Sequence, residues 1–261
     1  MRVLVTRPQP QADQWVAQLA ALGIEATALP LLLIAPPADA QGVRDAWAAL
    51  PHQGLVMFVS PSAVERFFAL ADHGAAWPHK VIAAGTGPGT ERALRAAGVP
   101  AACVVCPPPD SARFDSESLW PLLQRRRAWR GASALIVRGE GGREWLADAL
   151  RQQGAIVSFV EAYRRLPPSA DASTQQCVAD ALALPERHVW TFSSSEAVRH
   201  LPLLAPQADW SGSVALGTHP RIVQAAVELG FGRVEAVAAT PQAVADWVAD
   251  QATRSIQSRR S

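Results

Sequence analysis

The chain contains one lysine, one tyrosine, two methionines and three cysteines. Each scarcity excludes something. Cys103, Cys106 and Cys177 do not pair evenly, which excludes the disulfide framework of a small secreted scaffold. Cys103 and Cys106 form a C-x-x-C, but the spacer is Val-Val and Pro107, Pro108 and Pro109 follow. A redox dithiol of this kind opens a helix, and a zinc site needs a second ligand pair. An apolar strand end is the expected reading. Lys80 stands alone among 24 cationic residues, so an acidic ligand would meet the planar forks of arginine rather than point charges. The formal net charge is only +1. A general binder of nucleic acid or membrane surface would show a basic excess, so neither partner is expected. No apolar run approaches the roughly 20 residues of a membrane span. Met1 is followed at once by RVLVTRPQP, a strand and a turn rather than a secretory signal. A reduced, cytoplasmic setting is expected.

What the chain does have is length and apolar mass. With 261 residues, 49% of them hydrophobic, it suits two domains of ordinary size. Residues 3–7, VLVTR, read as a buried parallel strand. In PQPQADQWVAQLAALG, Trp15, Leu19 and Leu22 share a helix face, and Gly23 stops the helix. Ile24 to Leu29 is extended again. The proline-bracketed PLLLIAPP of residues 30–37 reads as an extended domain crossing. A helix around 39–50 follows. Strand–loop–helix units then come at 55–70 and 81–98. Residues 99–106 read as a strand, a helix starts at Ser116 or Ser118, and QRRRAWR (124–130) reads as a solvated surface. ALIVRGEGGREWLADALRQQG is a further strand–loop–helix unit, followed by the extended VEAYRRLPP that carries Tyr163. A helix at 171–184 precedes further units at 188–201 and 213–231. A short strand lies near 233–237, and a last helix is capped by Thr240 with Pro241 at its first position.

An internal repeat organises these units. Residues 81–98 align on 213–230 at an offset of 132, pairing Gly85 and Thr86 with Gly217 and Thr218. Residues 56–68 align on 190–202 at an offset of 134, pairing Ser60 with Ser194. Residues 3–23 align on 134–154 at an offset of 131, pairing Arg7 with Arg138. Three units in one order, then the same three again, point to duplication. Alternating strands and helices predict parallel sheets covered by helices on both faces, with ligands beyond the carboxyl ends of the strands. Those ends read TRPQP, VSPSA, AGTGPGT, VRGEGGR, SSSEA and LGTHPR. Each opens a helix, whose free N–H groups favour anions, although each of these residues also serves plain helix capping.

The ordered set VLVTRP, FVSPSAV, GPGTERAL, RFDSESLW, RGEGGREWLADAL, EAYRR, SSSEAV, THPRI and ATPQA resembles the uroporphyrinogen-III synthase family, over about residues 2–249. The resemblance implies an α/β fold of two flavodoxin-like parallel-sheet domains joined by a two-stranded linker and internally duplicated. It assigns residues 1–34 and 168–261 to a first, discontinuous domain and 38–163 to a second, with 35–37 and 164–167 as linkers. The implied activity is that of a cyclising hydro-lyase of heme biosynthesis. It closes hydroxymethylbilane, a linear tetrapyrrole octacarboxylate, to uroporphyrinogen III with loss of water and inversion of ring D. Neither a metal nor an organic cofactor is implied, and the six histidines form no ligand cluster in the sequence. A monomer is expected.

Loss of the substrate hydroxyl leaves an electron-poor azafulvene that the substrate's own pyrrole attacks. The protein's share is therefore positioning and electrostatics. Tyr163 falls at the family's tyrosine position. A phenol is protonated at neutral pH and can act as the acid for the departing hydroxyl; the same tyrosine also suits packing at a hinge. Substrate binding is expected from Arg7, Ser60, Thr86, Thr90, Arg138, Gly139, Arg143, Ser194, Ser195, Thr218 and Thr240. Thr86 follows from the repeat and Thr90 from the GPGT match, so both stay open. In SSSEA an extra serine, Ser193, precedes the better match, Ser194. The alternative is a non-catalytic two-domain binding protein for an acidic small ligand. A nucleotide site is disfavoured, because the Lys-Ser/Thr ending of a phosphate loop is absent from GTGPGT.

Overall fold

The computed structural model describes residues 1–72, 74–111, 113–141 and 144–258. In chain order the elements are β1 (Arg2–Val5), α1 (Gln11–Ala21), β2 (Ala26–Ala28) and β3 (Leu33–Ala35). Next come α2 (Ala40–Ala48), β4 (Leu55–Phe58), α3 (Pro61–Phe68), β5 (Ile82–Gly85), α4 (Pro88–Ala96) and β6 (Val104–Val105). Then follow α5 (Ser116–Arg126), β7 (Ser133–Gly139), α6 (Trp145–Gln152) and β8 (Ile156–Leu166). The chain closes with α7 (Ala172–Ala183), β9 (His188–Phe192), α8 (Ser195–Leu204), β10 (Val214–Gly217), α9 (Pro220–Leu229), β11 (Arg233–Ala236) and α10 (Pro241–Ser258). Two compact units result: residues 1–34 with those from 166 onward, and residues 35–165.

The first unit is built on a five-stranded sheet ordered β11-β10-β9-β1-β2, parallel throughout. Strand β1 shows why a near-continuous apolar run makes a central parallel strand. Val3 and Val5 point to one face, where they pack with Trp15, Leu19, Val244 and Val248. Leu4 points to the other, among Trp190, Phe192, Leu201 and Ile222. That second face holds an aromatic cluster. Trp190 meets Trp210 edge-on at 5.5 Å between ring centroids, and Phe192 meets Phe231 at 5.6 Å. Helix α9 starts where the His219 side chain accepts the Arg221 N–H and Pro220 sits in the first turn. It ends at Gly230, whose φ of 99° is the left-handed turn that glycine enters most readily.

The second unit is built on a six-stranded sheet ordered β3-β8-β7-β4-β5-β6. The pairs from β8 through β6 are parallel. Strand β4 is buried along its whole length. Leu55 and Met57 face a cluster with Leu119, Leu123, Ile136 and Leu150. On the other side Phe58 joins Trp47, Phe67, Phe68 and Trp77, and Trp47 stacks on Phe67 at 4.9 Å. The β7–β8 ladder contains an irregularity that matters below. Arg138 lies opposite Glu161, but Gly139 lies opposite Tyr163, so Ala162 is one extra residue on β8.

Two local expectations are corrected. Residues 99–106 are not one strand: a 3-10 turn at Ala101–Cys103 leaves only the two residues of β6. The stretch 124–130 is not wholly solvated, because Trp129 is 3% exposed and packs into the core under the Arg127 guanidinium. The arginines around it hid an anchor. Helix α5 begins at Ser116, one of the two expected starts, and is capped by Asp115, whose carboxylate accepts the Ser118 N–H at 2.9 Å.

Candidate functional site

Because the strands are parallel, every loop after a strand of one sheet reaches the same edge. In the second unit this edge carries a cavity of about 330 Å3 lined by Ser60, Thr86, Phe114, Arg138, Tyr163 and Arg165, among others. Ser60 follows β4. Its extended backbone and side-chain oxygen cap α3, accepting the Ala63 N–H at 3.1 Å, with Pro61 preset for the first turn. Thr86 follows β5 and Arg138 lies near the end of β7. Tyr163 and Arg165 come from the end of β8, two residues apart.

Tyr163 is 4% exposed. Its hydroxyl lies 3.2 Å from Ser60 Oγ, and either oxygen can donate. Its ring lies directly on the backbone of Gly139: a Cβ added there would stand 2.7 Å from Cε2 and 2.8 Å from Cζ. Arg138 lies largely buried with its guanidinium 4.1 Å above the Phe159 ring centroid. Its Nη1 is 3.4 Å from Glu144 Oε1, while its buried Nε makes no hydrogen bond among the described residues. Arg165 donates from Nη2 to the Glu140 carbonyl at 2.7 Å. At the far wall Asp115 accepts from both Ser118 N–H and Oγ and pairs with Arg113 at 3.0 Å.

Of the residues expected for substrate contact, this cavity brings together Ser60, Thr86, Arg138 and Tyr163. Gly139 is beneath Tyr163. Thr90 points inward: it is 3% exposed, and a Cβ on Gly85 would meet its Cγ2 at 2.5 Å. Arg143 lies outside the described residues.

The remaining expected residues belong to the first unit, on the loops after its strands. Arg7 follows β1, with its guanidinium 4.6 Å from the Trp15 ring centroid. Ser194 caps α8 by accepting the Glu196 N–H at 3.2 Å, and Ser195 is the first residue of that helix. Thr218 follows β10 and donates its backbone N–H to the Phe192 carbonyl at 3.2 Å. Thr240 accepts the Ala243 N–H at 3.2 Å at the start of α10.

Sequence reasoning passed over Arg165 and Phe114. For Arg165 a signal existed: it sits two residues beyond Tyr163 in an extended stretch, hence on the same side. Phe114 comes from the loop before α5 and carried no such signal. Among the described residues no group of His, Cys, Asp or Glu is arranged to hold a metal ion. No helix among them is long and apolar enough to cross a membrane.

Parallel sheets wrapped by helices, with a polar, arginine-bearing cavity beyond the strand ends, make this an α/β protein of the open-sheet class. The family profile described as "Uroporphyrinogen-III synthase HemD" matches residues 13–246. The uroporphyrinogen-III synthase of Salmonella typhimurium is 33% identical over 210 residues, spanning 79% of this chain and 81% of that one. That of Synechococcus elongatus is 34% identical over 222 residues, spanning 82% and 79%. A mutant uroporphyrinogen III synthase from the thermophile Thermus thermophilus superposes with a TM-score of 0.58 at 21% identity, over 99% of each chain. The Helicobacter pylori uroporphyrinogen-III synthetase gives 0.53 at 15% identity, over 97% of this chain and all of that one. Those two likenesses concern the fold. The chain belongs to the uroporphyrinogen-III synthase family.

Proposed function

We propose that Tyr163 is the acid that protonates the leaving hydroxyl in the family's reaction, and that the cavity around it seats the reacting end of the substrate. As a member of this family the chain is a cyclising lyase of tetrapyrrole biosynthesis, converting hydroxymethylbilane to uroporphyrinogen III. The observation that carries the acid assignment is the placement of the one phenol in the chain on a cavity wall shared with Arg138 and Arg165. A phenol keeps its proton at neutral pH and can give it to a departing hydroxyl. The guanidinium groups suit substrate carboxylates through charge-assisted hydrogen bonds. The Arg138 Nε–H, buried beside the cavity wall, has no hydrogen-bond partner among the described residues.

Substrate contact is assigned to Ser60, Thr86, Arg138 and Gly139 in the second unit and to Arg7, Ser194, Ser195, Thr218 and Thr240 in the first. Thr86 is preferred over Thr90 because Thr86 lines the cavity and Thr90 packs inward. Arg143 is retained on the strength of the family match alone. Inversion of ring D is assigned to the protein's hold on the substrate, since unassisted closure yields the unrotated isomer.

Both sheets are read as flavodoxin-like and as copies of one ancestor. Two observations support this. The order β2-β1-β9-β10-β11 is the 2-1-3-4-5 pattern of that fold when numbered within its unit. The order β8-β7-β4-β5-β6 repeats it once β7, β4 and β5 are matched to β1, β9 and β10, as the sequence repeat pairs them. The domains are taken as 1–34 with 168–261 and 38–163, with 35–37 and 164–167 between them. A cytoplasmic monomer is the accompanying reading, supported by the near-neutral charge and the uneven cysteines.

The test is product analysis. Hydroxymethylbilane is generated enzymatically in the presence of the protein, the mixture is oxidised, and the uroporphyrin isomers are resolved. Isomer III is expected to dominate; isomer I alone, at the no-protein level, overturns the reading. For the acid role, Tyr163→Phe is expected to lose most isomer III formation, and full retention overturns it.

A further inference from the structure

The irregularity in β8, the glycine beneath the phenol and the serine beside it form one arrangement. Along an unbroken strand, alternate residues share a face. Glu161 and Tyr163 do not follow that rule: Glu161 is exposed and Tyr163 is buried. The extra residue, Ala162, separates them. It is fully buried, and it advances the register so that Tyr163 rather than Ala162 lies opposite Gly139. Bulges re-aim side chains in this way. Once re-aimed, the ring occupies the space that any side chain at 139 would take, since a Cβ there would overlap Cε2 and Cζ. The hydroxyl is then delivered to Ser60 Oγ.

Ser60 is not a neutral neighbour. Its oxygen already accepts the Ala63 N–H as a helix cap, which leaves its own hydrogen to be donated. A serine donating to Tyr163 Oη frees the phenol hydrogen to point into the cavity. When that proton departs, the same donor, at the N-terminus of α3, meets the developing phenolate charge.

We propose that the Ala162 bulge, Gly139 and Ser60 form a positioning device for Tyr163: the first two set its ring, and Ser60 supplies a hydrogen bond that strengthens as the phenol gives up its proton. This rests on the acid role proposed above. Gly139 and Ser60 then act through the tyrosine rather than only through contact with substrate.

The test uses the full-length protein and its single tyrosine. Growth on 3-fluorotyrosine labels position 163 alone, so one fluorine resonance reports the ring. Gly139→Ala is expected to move that resonance and, in unlabelled protein, to lower kcat about a hundredfold with KM within twofold, the cost of an ångström-scale misplacement. Ser60→Gly keeps a tolerated cap residue but removes the hydroxyl; kcat is expected to fall about a hundredfold, as when one donor to a developing anion is lost. Ser60→Thr is expected to restore most of it. In a Tyr163→Phe background, Ser60→Gly is expected to lower kcat little further, because in the proton step the two act as one unit, and any loss of substrate contact appears in KM. The proposal fails if folded Gly139→Ala leaves the resonance in place. It also fails if Ser60→Gly keeps kcat within twofold, or lowers it equally in both backgrounds. Should Gly139→Ala not fold, the Ser60 series decides. If Tyr163→Phe is itself fully active, the acid role falls, and the fluorine resonance still reports separately on whether Gly139 sets the ring.

Discussion

Thr6 and Thr191 bind each other's strands through their side chains, across 185 residues of sequence. Thr6 Oγ1 donates to the Thr191 carbonyl at 2.7 Å, and Thr191 Oγ1 donates to the Leu4 carbonyl at 3.0 Å. Both residues are buried. These bonds add to the β1–β9 ladder, which joins the two separate stretches of the first unit. Thr6→Val keeps the shape and removes a donor. It is expected to lower stability by about 1 kcal/mol, the net worth of a buried hydrogen bond, read from the midpoint of urea unfolding at unchanged slope.

Arg138 is expected to be needed as arginine, not merely as a cation. Its guanidinium stacks on Phe159 while Nη1 faces Glu144, its Nε–H has no hydrogen-bond partner among the described residues, and the residue lines the cavity. Lysine has no equivalent fork. Arg138→Lys and Arg138→Gln should both raise KM, by roughly tenfold to a hundredfold for the loss of one charge-assisted hydrogen bond. Initial-rate kinetics on enzymatically supplied substrate decide it, and recovery of KM in the lysine variant would contradict the prediction.

Cys106 is expected to resist alkylation. Burial, and then the Glu91 carboxylate, push its thiol up to about 12. A raised thiol pKa means the neutral form persists, and the thiolate is the reactive species. At pH 8 its thiolate fraction is roughly a thousandfold below that of an ordinary cysteine. An iodoacetamide time course followed by peptide mass spectrometry should show Cys106 unmodified in folded protein and modified in urea.

Asp171 is expected to contribute to acid sensitivity. It caps α7, and the hydrogen bond from the Thr174 N–H, then those from the Ser173, Thr174 and Ser169 side chains, hold its carboxyl down to about 2. An unfolded aspartate titrates near 3.9. The folded state therefore favours the ionised form. The stabilisation is complete above about pH 4 and is lost as pH falls toward 2. Asp171→Asn keeps a capping acceptor without the charge, so thermal melting at pH 5 and pH 3 should differ less for the variant than for the parent.

The sequence made the elements visible where local rules dominate. The runs at β1, β4 and β9 are apolar on both faces, and the turns after them carry Ser, Thr, Gly and Pro, as buried parallel strands require. Where several local signals compete, reading failed. Trp129 is hidden by four arginines within five residues of it. The bulge at Ala162 was out of reach for a different reason. It is a property of the pairing between β7 and β8, and no residue in EAYRR announces a shift in register. Around Tyr163, the serine and the glycine were legible as loop residues, but not the contacts that join them to the phenol. Arg165 was readable from its two-residue spacing and went unused.

The discontinuity of the first unit has a consequence during synthesis. Strand β1 leaves the ribosome well before its neighbour β9, which begins only at His188. At ~5–20 residues per second, the interval is roughly ten to forty seconds. Through that time Val3, Leu4 and Val5 belong to an apolar strand with an unpaired edge, while the unit of residues 35–165 can already form behind it. A nascent segment of this kind is open to holding chaperones and to pairing with other emerging chains. Yield in the cell is therefore expected to depend on how fast the residues from 166 onward arrive.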